Sequence, residues 1–389
     1  MITKIFIYLL LVTILPDLYI DWHYLRHKQN FKWQKRLSWW IPCLLMVLFT
    51  IKMAIVKNYI PNNHEWLDAY TLLFAILVLP KALFAICSII GLTCRRIGLS
   101  KRNWGNLVGV ILGLFQIYMA IYGFTIGFTK LTVTRIDLSF SDLPASFEGY
   151  KIVQFSDVHI GTFKGARQHF IERAVDSITS QKADMIVFTG DLENQQPAEL
   201  YPFMDLLKKI NAPDGVYSVL GNHDYSEYID ASKAIKVANE RELISRERQF
   251  GWTVLLNQYH AIYRNQDSIL VAGEENGGLP PHPSLANTQK TLHGHAKNTF
   301  IVMLQHDPSA WRRDILPNSN VQLMLSGHTH GGQISIFGYH PITLKYPEDY
   351  GTYQEGDRML HISSGLGALI PFRFGVPPEI VVITLHQKK

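Results

Sequence analysis

The chain has 389 residues, of which 47% are hydrophobic and only 18% are charged. An average soluble domain carries about 25% charged residues. This composition excludes an intrinsically disordered chain, a collagen-like fibre and a small disulfide-linked scaffold. The formal net charge of +5 is uneven, since residues 1–129 carry +9 and residues 130–389 carry −4. Nucleic-acid binding is therefore not expected, because the C-terminal part has no basic stripe.

The N-terminal third contains four apolar segments, each near the ~20 residues that a helix needs to cross a bilayer. They cover residues 4–20, 38–56, 67–92 and 106–128. Residues 1–129 are therefore predicted to form a multi-span transmembrane region. In the third segment, Pro80 and Lys81 predict a kink, with Lys81 reaching the interface or a neighbouring helix. The alternative is a functional polar site within the bundle.

The connecting loops predict which side of the membrane each end of the chain occupies. Loops 21–37 and 93–105 contain five and four basic residues, whereas loop 57–66 has only Lys57, opposed by Glu65. Because basic loops stay in the cytoplasm, the chain should leave its fourth span on the outer side. The C-terminal part is therefore predicted to be extracytoplasmic. It also contains none of the three cysteines, so neither a disulfide nor a thiolate metal site is expected there.

Short apolar runs alternate with longer amphipathic runs from about residue 148, a pattern typical of layered α/β folds. Residues 130–147 are interpreted as a linker and first strand, and residues 148–389 as one domain. The predicted helices cover residues 166–180, 197–210 and 231–248. The predicted strands cover residues 151–156, 185–189, 216–220, 253–256, 261–263, 268–272, 299–304, 321–325, 359–363 and 379–385.

Polar side chains that bind metals follow five of these strands. Because ligand sites in layered α/β folds collect beyond the carboxyl ends of strands, one cleft should bring these residues together. Asp157 and His159 are two residues apart, as are His328 and His330, so each pair would face one side of an extended chain. The full set is Asp157, His159, Asp191, Asn222, His223, Asp224, His306, His328 and His330.

The donor atoms of this set define the metals that it would hold. Imidazole, carboxylate and amide oxygen without sulfur favour Mn, Fe or Zn over a structural zinc site. One ion needs three or four ligands, so a set of this size indicates two ions about 3.5–4 Å apart that share a carboxylate. His293 and His295 have the same spacing but follow no apolar strand, so we interpret them as loop residues.

The five clusters, in order, resemble the calcineurin-like metallophosphoesterase family. The motifs read FSDVHIG, FTGDLEN, LGNHDY, LQHDP and SGHTHGGQIS, and the resemblance spans about residues 148–385. The tail SSGLGALIPFRFGVPPEIVVITL is similar to a membrane-tethered branch of that family. That branch includes transmembrane proteins with a metallophosphoesterase domain and a type of UDP-2,3-diacylglucosamine pyrophosphatase. The fold implied is a four-layer sandwich of two mixed sheets with helices outside.

The resemblance also implies a role for each residue of the motifs. Asp191 would bridge two divalent ions, with Mn favoured, and His223 would lie beside the phosphate. Asp224 would orient His223, as a neighbouring carboxylate commonly does for an imidazole. The other ligands would be Asp157, His159 and His330 for the first ion, and Asn222, His306 and His328 for the second.

The chemistry expected of such a centre is hydrolysis of a phosphodiester or pyrophosphate bond. Two divalent ions acidify a shared water, and the resulting hydroxide attacks phosphorus in line with the leaving oxygen. His223 would protonate the leaving group. Arg373 would clamp a second phosphate through two parallel hydrogen bonds, or would be a solvated turn residue.

Three functions remain open from the sequence. The leading hypothesis is a membrane-anchored hydrolase of a lipid-linked substrate, because the domain begins soon after the last span. A second is UDP-2,3-diacylglucosamine pyrophosphatase activity in lipid A biosynthesis, which the predicted orientation opposes because that substrate class is made on the cytoplasmic face. The third, from another class, is a metal-binding sensor or transporter without hydrolysis.

Overall fold

The computed structural model describes residues 2–27, 32–56, 64–294 and 299–388. Lys28, Lys57 and His295, which entered the sequence interpretation, lie outside these ranges. The chain forms two compact units, residues 1–126 and residues 127–389.

The first unit is helical, and its helices agree with the predicted spans. Within the described ranges, four stretches are long and apolar enough to cross a membrane, namely Ile5–Leu25, Trp33–Ile55, His64–Arg96 and Gly105–Gly127. The helices are α1 (Ile2–Ile20), α2 (Trp33–Ile55), α3 (His64–Leu77), α4 (Leu79–Arg96) and α5 (Gly105–Tyr122).

The third stretch is interrupted where the sequence predicted a kink. Helix α3 ends at Leu77 and α4 starts at Leu79, so Pro80 occupies the first turn of α4. Proline is tolerated there because a first-turn N–H has no acceptor within the helix. Lys81 follows and points at a neighbouring helix, since its Nζ lies 2.9 and 2.7 Å from the carboxylate oxygens of Asp17 on α1. The kink with Lys81 against a neighbouring helix is therefore the arrangement observed.

We predict that this ion pair fixes α1 against α4. Asp17 is buried and the Lys81 side chain is only 19% exposed, so Lys81→Met leaves a buried carboxylate without its cation. Breaking a buried pair typically costs about 3–5 kcal/mol. We therefore expect a loss of this size in the free energy of unfolding, measured by denaturant titration in detergent.

The double variant Asp17→Leu/Lys81→Met should recover at least half of that loss, because no uncompensated charge remains. Arg36→Met is the control, since Arg36 pairs with Asp21 but is 41% exposed, and its loss should cost less. Equal stability of Lys81→Met and the parent would contradict the prediction.

The second unit contains two six-stranded mixed sheets. The order is β1-β12-β2-β3-β4-β5 in the first sheet and β10-β11-β9-β8-β7-β6 in the second. The strands are β1 (Thr132–Phe140), β2 (Tyr150–Phe155), β3 (Met185–Phe188), β4 (Val216–Ser218), β5 (Thr253–Val254), β6 (Gln258–Arg264), β7 (Asp267–Gly273), β8 (Phe300–Leu304), β9 (Leu323–Ser326), β10 (Gly351–Glu355), β11 (Arg358–Ile362) and β12 (Glu379–Gln387). The helices are α6 (Gln168–Ser180), α7 (Met204–Leu207), α8 (Lys233–Gln249), α9 (Thr288–Thr291) and α10 (Leu316–Asn318).

Three apolar cores separate four layers. The central core joins the inner faces of both sheets, where Ile152 and Val187 of the first sheet share a cluster with Val302 of the second. A second core packs α6 and α8 on the outer face of the first sheet. A third packs Trp311 and Ile315 on the outer face of the second sheet. The predicted four-layer α/β sandwich is confirmed.

The parallel strands point their carboxyl ends to one edge of each sheet. Strands β2 to β5 are parallel in the first sheet, and β7, β8, β9 and β11 are parallel in the second. The loops that follow them carry the motif residues. One predicted element is wrong, since residues 197–210 contain short 3₁₀ turns and the four-residue helix α7 instead of one long helix. Pro202 explains part of this difference, because proline breaks a helix interior.

Candidate metal centre

The loops after β2, β3, β4, β8 and β9 bring the predicted metal-binding side chains together. Asp157, His159 and His330 form one group whose ligand atoms all lie within 4.8 Å of one another. Two further groups with the same spacing contain Asp191, one with His159 and His223, the other with His306 and His328. The sequence prediction of one shared cleft therefore matches the geometry.

The backbone at this centre is strained. Asp157, His159, Asp191, His328 and His330 all have φ between +47° and +72°. The left-handed region is uncommon for residues other than glycine and costs free energy, and such residues concentrate at functional sites. The condition under which Asp157 and His159 would share one face, an extended chain, is not met, because β2 ends at Phe155 and both residues have positive φ.

Two glycines make room for the carboxylates. A Cβ atom on Gly221 would lie 2.2 Å from Oδ1 of Asp191, and one on Gly327 would lie 2.2 Å from Oδ2 of Asp157. Any side chain at either position would displace a carboxylate, so these loops require glycine.

Asp191 lies at the middle of the cluster. Its Oδ2 is 3.2 Å from Nε2 of His306 and 3.7 Å from Nε2 of His159. Its Oδ1 accepts the backbone N–H of His223 at 2.8 Å. In the neighbouring group of ligands, Nε2 of His330 lies 3.5 Å from Oδ1 of Asp157. The carboxylate of Asp191 therefore faces imidazoles that come from both sheets.

The electrostatics of the buried centre favour neutral rings for His159, His328 and His330 but a charged ring for His306, where burial lowers the pKa and the neighbouring Asp191 outweighs it and raises that pKa to about 10. Burial lowers the pKa of both His159 and His328 to about 3, and it holds the pKa of His330 well below its ordinary value. Burial would raise the pKa of Asp191, but the neighbouring His306 and His223 outweigh it and hold that pKa well below its ordinary value. A neutral imidazole and an ionised carboxylate are the forms that bind metal ions.

Buried donor atoms without hydrogen bonds test whether the site fits metal ions. Oδ1 of Asn222 and both ring nitrogens of His159 are buried and form no hydrogen bond to the described residues. Such atoms are costly in a protein interior unless something else satisfies them. Nδ1 of His306 lies 2.7 Å from the carbonyl of Thr189, which leaves Nε2 to face Asp191. The residues therefore fit divalent cations.

His223 has a different orienting partner from the one expected. Its Nδ1 donates to the carbonyl of Asn194 at 2.6 Å, and the ring of Tyr228 packs on it with centroids 4.3 Å apart. The predicted partner, Asp224, is engaged elsewhere. Its carboxylate accepts four backbone N–H groups, from Gly221, Asp191, Leu192 and Glu193, at 2.8–3.2 Å. Asp224 therefore organises the two loops that carry Asp191 and His223 and does not contact the imidazole.

Three residues near the centre were missed by the sequence interpretation. The hydroxyl of Tyr346 lies 2.8 Å from Nε2 of His328. The hydroxyl of Tyr228 accepts from Nδ2 of Asn222 at 2.8 Å and lies 2.9 Å from Nδ1 of His282. None of the three belongs to a motif with fixed spacing, so only the fold places them here.

Arg373 is neither a phosphate clamp nor a solvated turn residue in this structure. It is fully buried, and its Nη2 donates to the carbonyls of Ser364 and Gly367 at 2.7 and 2.6 Å. Nη1 lies 3.4 Å from the carbonyl of His330. The N–H of Gly367 in turn donates to the carbonyl of Asp157 at 2.7 Å. The guanidinium thus connects the backbone segments of two cluster residues.

We predict that Arg373→Met lowers the affinity for Mn²⁺ about 10–100-fold, the usual effect of losing a group that supports metal ligands. Calorimetric titration of metal-free protein measures it. Arg358→Met is the control, because Arg358 also donates to carbonyls, those of Ile315, Leu316 and Val321, away from the cluster. If Arg373→Met left the metal affinity unchanged and raised KM for a pyrophosphate, the result would instead support the hypothesis that Arg373 binds a second phosphate.

Two family models match the chain. Residues 3–128 match "Probable Calcineurin-like phosphoesterase, transmembrane domain", and residues 150–332 match "Calcineurin-like phosphoesterase". The two matches follow the same order as the membrane-spanning stretches and the metal cluster.

Curated relatives agree with these matches. An uncharacterised metallophosphoesterase of Bacillus subtilis, YkuE, is 33% identical over 264 residues, covering 66% of this chain and 86% of that protein. A transmembrane protein with metallophosphoesterase domain from Danio rerio is 27% identical, and the match covers 69% of this chain and 60% of that protein. The UDP-2,3-diacylglucosamine pyrophosphatase LpxG of Chlamydia trachomatis is 28% identical, and the match covers 65% of this chain and 88% of that protein. The chain therefore belongs to the calcineurin-like metallophosphoesterase family and is a phosphoesterase that carries its own membrane domain.

Proposed function

We propose that the protein is a membrane-anchored hydrolase that uses two divalent ions to cleave a phosphodiester or pyrophosphate bond in a lipid-linked substrate. The observation that carries this proposal is that Asp191 belongs to two groups of potential ligand atoms, one with His159 and His223 and the other with His306 and His328. Asp191 is the one residue that these two groups share, so its carboxylate could serve two ions at once.

We assign the ligands as the family resemblance implies. Asp191 would hold both ions, and the amide oxygen of Asn222, which no described residue satisfies, would hold the second ion. Nε2 of His328 is occupied by Tyr346, so Nδ1 is the nitrogen offered to the ion. The remaining ligands are Asp157, His159 and His330 for the first ion and His306 for the second.

Mn²⁺ is our favoured ion, with Fe and Zn as alternatives, because the donors are imidazole, carboxylate and amide without thiolate. Two divalent ions held there supply a hydroxide nucleophile near neutral pH and offset the charge of the transition state. The chain supplies the rest. Burial excludes bulk water, and Nε2 of His223 is the ring nitrogen left to serve the leaving oxygen, since Nδ1 is fixed on the carbonyl of Asn194.

Two observations support a lipid-linked substrate. The last membrane-spanning stretch ends at Gly127 and β1 begins at Thr132, so the enzyme works within a short chain length of the bilayer. The relative LpxG is named for a substrate that carries acyl chains. That name also makes UDP-2,3-diacylglucosamine pyrophosphatase activity the second candidate function.

The two candidates differ in the side of the membrane that they require. Basic loops 21–37 and 93–105 predict that residues 130–389 are extracytoplasmic, whereas a UDP-sugar substrate is made in the cytoplasm. Alkaline phosphatase fused to the C terminus should therefore be active. A fluorescent protein fused to the same terminus should be dark, because it would be exported. The opposite pair of results would overturn the orientation and favour the second candidate.

The reaction itself is tested with the full chain in detergent, loaded with Mn²⁺. We expect hydrolysis of bis(p-nitrophenyl) phosphate, a nucleotide sugar or both, and no hydrolysis after chelation. A metal-binding sensor or transporter, the remaining hypothesis, would bind Mn²⁺ with the same stoichiometry and hydrolyse none of these substrates.

A further inference from the structure

One loop beside the metal cluster exposes large apolar side chains. It covers residues 334–346, and we call it the 334–346 loop. It begins four residues after His330 and ends at Tyr346, whose hydroxyl contacts Nε2 of His328 at 2.8 Å. The C-terminal end of this loop therefore contacts the metal cluster directly.

The backbone of the 334–346 loop is fixed by hydrogen bonds. Ile336 and Tyr339 bond each other through both backbone pairs at 3.0 Å, which closes a tight turn with Phe337 at its tip. The N–H of Ser335 donates to the carbonyl of Phe374 at 2.7 Å, and the N–H of Lys345 donates to that of Ile342 at 2.9 Å. The side chains at the tip are therefore presented by an ordered backbone.

Three side chains of the loop project into solvent. Phe337 is fully exposed, and Leu344 and Tyr339 are 87% and 55% exposed. Exposed aliphatic and aromatic surface costs about 25 cal/mol per Å² relative to burial. A binding partner with hydrocarbon surface would recover this free energy, and a polar sugar or free nucleotide would not.

The same loop carries a cation at the mouth of the cleft. Nζ of Lys345 lies 4.9 Å from the ring of Tyr346. The hydroxyl of the same tyrosine lies 2.8 Å from Nε2 of His328. The ammonium group is thus close enough to attract a phosphate that approaches the cluster.

We propose that the 334–346 loop is the subsite for the lipid part of the substrate, in which Phe337 and Leu344 contact an acyl chain and Lys345 attracts the anionic head group. This inference rests on the proposed function and deepens it. The four membrane-spanning stretches of the same chain keep the enzyme where acyl chains are available. Hydrocarbon is therefore the partner that fits both the exposed surface and the location.

Butylphosphonate and octylphosphonate test the proposal, because neither can be hydrolysed and both offer the same anion. The full chain in lipid nanodiscs is loaded with Mn²⁺, and each compound competes with bis(p-nitrophenyl) phosphate. We expect octylphosphonate to bind at least about tenfold more tightly than butylphosphonate. Phe337→Ser/Leu344→Ser should reduce this ratio to below about threefold. Because the parent and the variant are compared in identical nanodiscs, the partition of octylphosphonate into lipid affects both equally and does not change the comparison between them.

Further variants separate the two parts of the subsite. Lys345→Gln should weaken both phosphonates by a similar factor and leave their ratio unchanged. Tyr263→Ser is the matched control, since Tyr263 is 75% exposed at the β6–β7 hairpin, and it should change neither value. Leu344→Ser alone provides a second measurement if the double variant unfolds early.

The outcomes distinguish failure of the subsite from failure of the proposed function. An equal affinity for the two phosphonates in the parent, or a parental ratio in Phe337→Ser/Leu344→Ser, overturns the lipid subsite. No hydrolysis of bis(p-nitrophenyl) phosphate by the parent overturns the proposed function instead, and calorimetric binding of the phosphonates then still tests the loop.

Discussion

Asp191→Asn is expected to reduce the bound metal from two ions to one or none and to lower kcat/KM for a phosphodiester at least about 10³-fold, the upper range for loss of one electrostatic stabiliser. The variant keeps the shape of the side chain, and its amide oxygen still accepts the N–H of His223, as Oδ1 does now at 2.8 Å. The other oxygen, which faces His306 and His159, becomes an NH₂ group that cannot bind a cation.

Metal content measured by elemental analysis and the rise in melting temperature on adding Mn²⁺ provide two readouts independent of activity. A Mn²⁺ concentration of 100 times Kd stabilises the folded state by about 2.7 kcal/mol. The melting temperature of the parent should therefore rise clearly on adding Mn²⁺, and that of the variant should rise less. Asp214→Asn is the control, because Asp214 accepts from Tyr150 and Arg264 away from the cluster. Two bound ions in Asp191→Asn would show that Asp191 is not the bridge.

The position of the metal cluster could be predicted from the sequence because it follows from strand order. Polar residues placed directly after buried apolar runs, as Asp191 after β3 and His306 after β8, must emerge at the carboxyl edge of parallel strands. No long-range information is needed for that step. The two sheets also share an inner core, which brings their edges to the same end of the domain.

The conformation of the ligands could not be predicted in this way. Alternation along a strand predicts one face for Asp157 and His159, yet both lie in the left-handed region after β2 has ended. Asp and His enter this region more often than most residues do, but the local sequence does not specify it. The surrounding hydrogen bonds impose it, such as the one from the N–H of Asp157 to the carbonyl of Gly190 at 2.9 Å.

Hydrogen-bond partners that lie far apart in the sequence could not be predicted either. The family resemblance implied that Asp224 orients the imidazole of His223, but the carbonyl of Asn194, 29 residues away, is the group that contacts its Nδ1. The sequence offered Arg373 as a phosphate clamp or a solvated turn residue, but the side chain is fully buried and donates to backbone carbonyls. Such contacts depend on how loops pack, and no local pattern records them.

His223→Ala is expected to lower kcat about 10²–10⁴-fold for a diester with an alkoxide leaving group, the usual contribution of a general acid. The loss should be much smaller for bis(p-nitrophenyl) phosphate, whose leaving group is stable as an anion and needs no proton. The backbone N–H of His223 that contacts Asp191 remains in the variant, so its metal content should equal that of the parent.

This combination separates a general acid from a metal ligand. Proximity alone would allow His223 to bind an ion, since its ring lies 4.7 Å from that of His159, centroid to centroid. A ligand role predicts loss of metal and an equal decrease for both substrates, whereas proton donation predicts unchanged metal and a decrease that depends on the leaving group. His169→Ala is the control, because Nδ1 of His169 also lies at a carbonyl, that of Ala166 at 2.8 Å, but outside the cluster.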